Sequence, residues 1–101
     1  MRRAFTTHVD KEINHDGFQI TFANDCTISV MFGKYSYCDE GESTAEVAAW
    51  NNISDNWMLY QDEGWIELEN NSTEVMARQT PEEVANLIST LSKHSVEESD
   101  I

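Results

Sequence analysis

The sequence predicts an α+β fold, an antiparallel sheet of four to six strands in meander order with one C-terminal amphipathic helix packed on one face. Three observations carry this. Several short runs alternate apolar with polar residues and are separated by Asn, Asp, Gly and Ser, the pattern of half-buried strands and their turns. Near the C-terminus the apolar spacing switches to three and four behind a Thr-Pro-Glu-Glu start, which is a helix signature. At 101 residues, 40% hydrophobic and 10% aromatic, the chain fits a single domain spanning 1–101 with one modest core.

The elements follow in order. Residues 1–16 carry Phe5, Val9 and Ile13 at fourfold spacing, compatible with a short helix or with an extended N-terminal arm. Phe18, Ile20 and Phe22 then share one strand face, and Cys26, Ile28, Val30 and Phe32 share the next, with Thr27, Ser29 and Met31 outward. Asn24-Asp25 between them makes the pair a hairpin. After Gly33 comes a mixed aromatic and acidic loop to Ser43. Ala45 to Trp50 alternates again, as a third strand or an amphipathic helix, before the turn-rich Asn51 to Asn56. Trp57–Gln61 and Trp65–Glu69 read as strands joined by Asp62-Glu63-Gly64, with Gly64 at the position that needs positive φ. Asn70 to Ser72 turns the chain into a short edge strand at Glu74–Arg78. Thr80, Pro81 and Glu83 make a capping box with proline in the first helical turn. Val84, Leu87, Ile88 and Leu91 form the stripe that faces the sheet. Residues 95–101 are an acidic tail expected to fray.

Charge is the strongest functional clue. Nineteen acids against six Lys and Arg give a net charge of -13. Residues 1–38 sum to zero, so the whole excess lies in 39–101, and ten acids fall between Asp39 and Ala77 with no Lys, Arg or His among them. A surface of one sign repels nucleic acid and membranes and steers the protein towards basic partners. No apolar run approaches a membrane span and no signal-peptide core follows Arg2 and Arg3. Two cysteines, Cys26 and Cys38, are too few for a disulfide scaffold and lack zinc-knuckle spacing, so a buried thiol and a loop thiol in a reducing cytoplasm are expected.

Catalytic and metal chemistry find little support. His8, His15 and His94 lie in no nucleophile motif, and the chain is not expected to be an enzyme or to carry a cofactor. Asp39, Glu40 and Glu42 crowd one loop without the alternating ligands of an EF-hand. Trp50, Trp57, Trp65, Tyr35 or Tyr37, with Lys34 or Arg78, could instead hold a small signalling nucleotide. On a strand, Glu67 and Glu69 lie on one side about 6.6 Å apart. Trp65 shares that side, which should face outward because Ile66 and Leu68 supply the apolar one. Such carboxylates can imitate a phosphate backbone. The partner-binding residues expected are therefore Asp39, Glu40, Glu42, Asp62, Glu63, Glu67 and Glu69, with Trp65 or Tyr35 as anchors.

The run from Ile20 through Phe32-Gly33 to Tyr37-Cys38-Asp39, then Ala45 to Trp50 and Thr80 to Val84, resembles a family of small accessory proteins of tailed bacteriophages. The likeness covers about residues 18 to 92. Other members carry Asn before the Tyr-Cys pair, where this chain has Ser36. The resemblance carries over no catalytic residue. It implies context, an accessory protein acting in the cytoplasm of an infected bacterium, where small acidic proteins often block host defence or redirect host enzymes. Taken with the acidic face, the expected function is stoichiometric inhibition of a basic, nucleic-acid-binding host or defence protein, with no direct contact to nucleic acid. A structural virion component is a further alternative.

Overall fold

Strand pairing in sequence order builds the sheet. The computed structural model describes residues 4–10, 15–32 and 43–95. Its strands are β1 (Phe5–Asp10), β2 (His15–Thr21), β3 (Cys26–Met31), β4 (Ala45–Asn51), β5 (Trp57–Gln61), β6 (Gly64–Glu67) and β7 (Met76–Gln79), followed by helix α1 (Pro81–Ser92). The first six form an antiparallel meander, and β7 returns to β4. The α+β class is as the sequence predicts. Phe5–Asp10 takes the extended conformation and pairs with β2 along its whole length, so the fourfold apolar spacing there does not mark a helix. Of the acidic tail, only Ser95 is among the described residues.

Two strands share one edge of β4. Trp57 and Met58 pair with Trp50 and Ala49, whereas Met76 and Gln79 pair with Val47 and Ala45. The β5–β6 hairpin and β7 therefore diverge from a common neighbour. The β4–β7 register slips by one residue between Ala45 and Val47, and Arg78 in that bulge has φ 54°, the left-handed conformation that an extra residue in a ladder commonly adopts.

Helix and sheet meet on one apolar face. Cys26, Ile28, Val30, Ala45, Val47, Ala49, Met58, Trp65, Leu87 and Leu91 are the buried cluster, and Phe18, Ile20, Phe22, Val84 and Ile88 pack against it. The predicted β2, β3 and helix stripes all point inward. Thr27 and Ser29 lie on the opposite face as expected, yet are only 1% and 7% exposed. Thr27 is ringed by polar partners, with Thr21 Oγ1 at 2.8 Å and Asn52 Nδ2 at 2.6 Å.

The turns fix how the elements meet. In the β2–β3 turn Asp25 N–H bonds the Phe22 carbonyl, Phe22 N–H bonds the Cys26 carbonyl, and Asp25 has φ 68°. That is a three-residue hairpin loop closed by a bulge. Asn24 inside it donates from Nδ2 to the carbonyls of Leu91 and His94, at 2.8 Å each, satisfying acceptors that a helix C-terminus leaves open. At the other end of α1, Thr80 Oγ1 accepts from Glu83 N–H and Glu83 Oε1 accepts from Thr80 N–H at 2.8 Å. The capping box predicted from the sequence is complete.

Candidate functional site

Four exposed carboxylates lie at the two ends of the β5–β6 hairpin, and Glu74, Glu82 and Glu83 are exposed elsewhere. Asp62 and Glu63 form its two-residue turn, with φ 53° and 62°, and Gln61 pairs directly with Gly64. Both central residues are left-handed, the geometry whose twist matches a hairpin. Gly64 was expected to take the positive φ. It is instead the first residue of β6, because a two-residue loop leaves no third turn position. At the opposite end, Asp55 precedes β5 and Glu69 follows β6, both exposed. Glu69 opens a second turn in which Ser72 N–H bonds its carbonyl and Asn70 and Asn71 each have φ 60°. Asp39, Glu40, Glu42 and Tyr35 lie outside the described residues, as do Lys34, Tyr37 and Cys38.

Glu67 has a different role from the one expected of it. Strand β6 ends at Glu67, so Glu67 and Glu69 are not an i, i+2 pair along one strand. Glu67 Oε2 accepts from Asn51 Nδ2 at 2.8 Å, and Oε1 accepts from Ser54 Oγ at 2.9 Å and Asn56 Nδ2 at 3.0 Å. Asn51 Oδ1 in turn accepts from Ile53 N–H. The carboxylate thus pins the β4–β5 turn to β6. Its partial burial pushes its pKa up, but the bonds from Asn56, Asn51 and Ser54, with the nearby His94, outweigh that and hold it below its ordinary value.

Trp65 is the clearest correction. It was expected to stand outward beside Glu67 as a partner anchor, with Ile66 and Leu68 inward. It is 8% exposed and belongs to the core, with its Nε1 donating to Thr90 Oγ1 of α1 at 2.9 Å and its ring 5.4 Å from that of Tyr60. Ile66 is 42% exposed. The reason lies in the register. Met58 pairs with Ala49 on the helix face, which sends Tyr60 and its partner Trp65 to the same side. The alternation runs as predicted, with its two faces exchanged.

The exchange creates a face opposite α1 that the charge pattern did not reveal. Directly opposed residues in an antiparallel pair share a face. Trp50 opposes Trp57, and their ring centroids are 5.9 Å apart. Leu59 opposes Ile66, and Leu68 N–H bonds the Trp57 carbonyl at 2.7 Å. Trp50, Trp57, Leu59, Ile66 and Leu68 therefore make one apolar block across β4, β5 and the β6 segment. The sequence signal was present. Once Val47 and Ala49 are assigned inward, Trp50 must point out.

Other chemistry has less to build on. A groove of about 440 Å³ between β3, β4 and α1 is lined by Val30, Phe32, Ala45, Val84 and Ile88, with Ser43, Thr44 and Gln79 as its polar groups. No described lining residue carries a charge to meet a phosphate. Neither Arg78, in the β7 bulge, nor the buried Trp65, two residues considered for a nucleotide site, is among the described residues lining this groove. Among the described residues no cluster of three or more His, Cys, Asp or Glu could hold a metal ion. Burial, then the charges of Glu67 and Asp25, push the Cys26 thiol up to about 11, which suppresses its nucleophilic form. Among the described residues no helix is long and apolar enough to cross a membrane. Compared with protein-family models, curated proteins and solved structures, the chain matches none.

Proposed function

We propose that this protein is a stoichiometric binder and inhibitor of a basic, nucleic-acid-binding protein, acting as a phage-type accessory factor in the bacterial cytoplasm. The observation that carries the reading is the one-signed charge, with ten acids and no Lys, Arg or His between Asp39 and Ala77. Placement adds to it. Asp55, Asp62, Glu63 and Glu69 are exposed on turns, where carboxylates can meet lysine and arginine side chains without first losing an internal partner strand. Long-range attraction of this kind speeds encounter and favours basic partners. Residues 1–38 sum to zero while 39–101 carry the whole net charge of -13, which gives the field a direction that a uniformly spread solubilising charge would lack.

The test is calorimetric titration of the protein against basic nucleic-acid-binding proteins of the bacterial host, with duplex DNA as competitor. A one-to-one complex is expected, excluding DNA and weakening by tenfold or more between about 50 mM and about 300 mM salt. Affinity that does not change with salt, or a complex that still binds DNA normally, overturns the inhibitor reading.

A further inference from the structure

We infer that the face of the β5–β6 hairpin opposite α1 is the docking surface for that basic partner, and that the contact is made at an apolar centre containing Trp50 and Trp57. The inference rests on the basic-partner reading and adds to it a location and a contact chemistry. Trp57, Leu59, Ile66 and Leu68 form a two-by-two apolar block, and Trp50 extends it along the row of Trp57. Helix α1 packs on the opposite face. The described residues place no helix here; Ile66 is 42% exposed, and Trp50, Trp57, Leu59 and Leu68 around it are half-buried, each keeping part of its apolar surface accessible.

Exposed contiguous apolar surface with a polar rim is how soluble proteins present interaction sites, and tryptophan is enriched where binding energy concentrates. The rim supplies the identity of the occupant. Asp62 and Glu63 bound the block at one end, and Asp55 and Glu69 bound it at the other, all four exposed. Residues 43–77 contain no Lys, Arg or His. A protein segment with an apolar centre and flanking lysines or arginines therefore complements both parts of the surface. A second copy of this chain would bring carboxylates against carboxylates on molecules of net charge -13, which electrostatics opposes.

The three tryptophans provide the measurement, because Trp50 and Trp57 are on this face and Trp65 is buried on the other. The probes are a short peptide alternating lysine and leucine and a lysine-only peptide of the same length, followed through the indole N–H resonances. The alternating peptide is expected to shift the Trp50 and Trp57 signals and leave Trp65 in place. Ile66→Lys is expected to weaken that peptide about tenfold or more, and the shift pattern in the unaltered chain decides the matter however that variant folds. Equal affinity for the lysine-only peptide would overturn the apolar centre while leaving the basic-partner reading intact. So would shifts confined to other surfaces, or self-association through Trp50 and Trp57 without peptide. Failure of both peptides to bind, with a basic protein still captured in the calorimetric test, overturns this location alone. Failure in both tests overturns both readings.

Discussion

Gly17 occupies a position that no other residue fits. A Cβ built there would lie 2.1 Å from the Val30 carbonyl oxygen and 2.9 Å from Met31 Cα, so any side chain must push β2 away from β3 where Gly17 opposes Met31. Gly17→Ala is expected to destabilise the fold by about 2–3 kcal/mol, read as a lowered midpoint in chemical denaturation. Glu67 makes a different kind of contribution. Its folded pKa lies below its ordinary value of 4.5. Its bonds to Asn51, Ser54 and Asn56 therefore stabilise the fold fully above that value and are lost as pH falls through the folded pKa. Thermal melts from neutral pH down through the acid range should show a smaller loss of stability for Glu67→Gln than for the unaltered chain. An equal loss would mean that the carboxylate is not what holds the turn. Strand alternation assigns Glu67 to a surface contact because it counts carboxylates without seeing their partners. Asn51 and Asn56 are 16 and 11 residues away.

At the scale of elements, local chemistry was largely readable. Thr80, Pro81 and Glu83 announced the helix start, and Val84, Leu87, Ile88 and Leu91 its packed stripe, because capping and helical periodicity act within one or two turns of chain. The β5–β6 hairpin was legible as a hairpin but not in its details. Asp62 and Glu63 both adopt positive φ, a conformation that costs a non-glycine residue about 1 kcal/mol, and Gly64 next to them does not need its freedom. Glu63→Gly should therefore raise stability by about 0.5–1 kcal/mol, seen as a higher melting temperature with unchanged strand content. A drop would show that the Glu63 side chain contributes more than the backbone loses. The same substitution removes one rim carboxylate, so the stabilised variant should also bind a basic partner more weakly.

At the scale of the molecule, the charge acts on folding as well as on association. A net charge of -13 repels itself in the compact state, and screening relieves that repulsion. The melting temperature is expected to rise as salt is increased from about 10 mM to about 150 mM, over which the Debye length falls from about 30 Å to about 8 Å. Partner affinity should fall over the same range. Opposite responses of stability and binding to one variable would separate the two consequences of a single charge distribution. A melting temperature indifferent to salt would mean that the acids are spread too far apart to interact, which would also weaken the directed-field argument.

The α+β class, the hairpins, the capped helix and the location of the excess charge are legible in the chain alone, because each follows from composition or from patterns a few residues long. Which side of β5 and β6 faces the helix is settled by long-range packing. Trp57, Leu59, Ile66 and Leu68 on one parity are all apolar, while the other holds Met58, Tyr60 and Trp65 together with Glu67, so alternation by itself favours turning the Trp65 side outward, the opposite of what the structure adopts. The choice was made by the pairing of Met58 with Ala49 and by the reach of Trp65 to Thr90 on α1, a contact across 25 residues of chain. That choice buried the tryptophan expected to be an anchor and left Trp50 and Trp57, both half-buried, on the face opposite the helix.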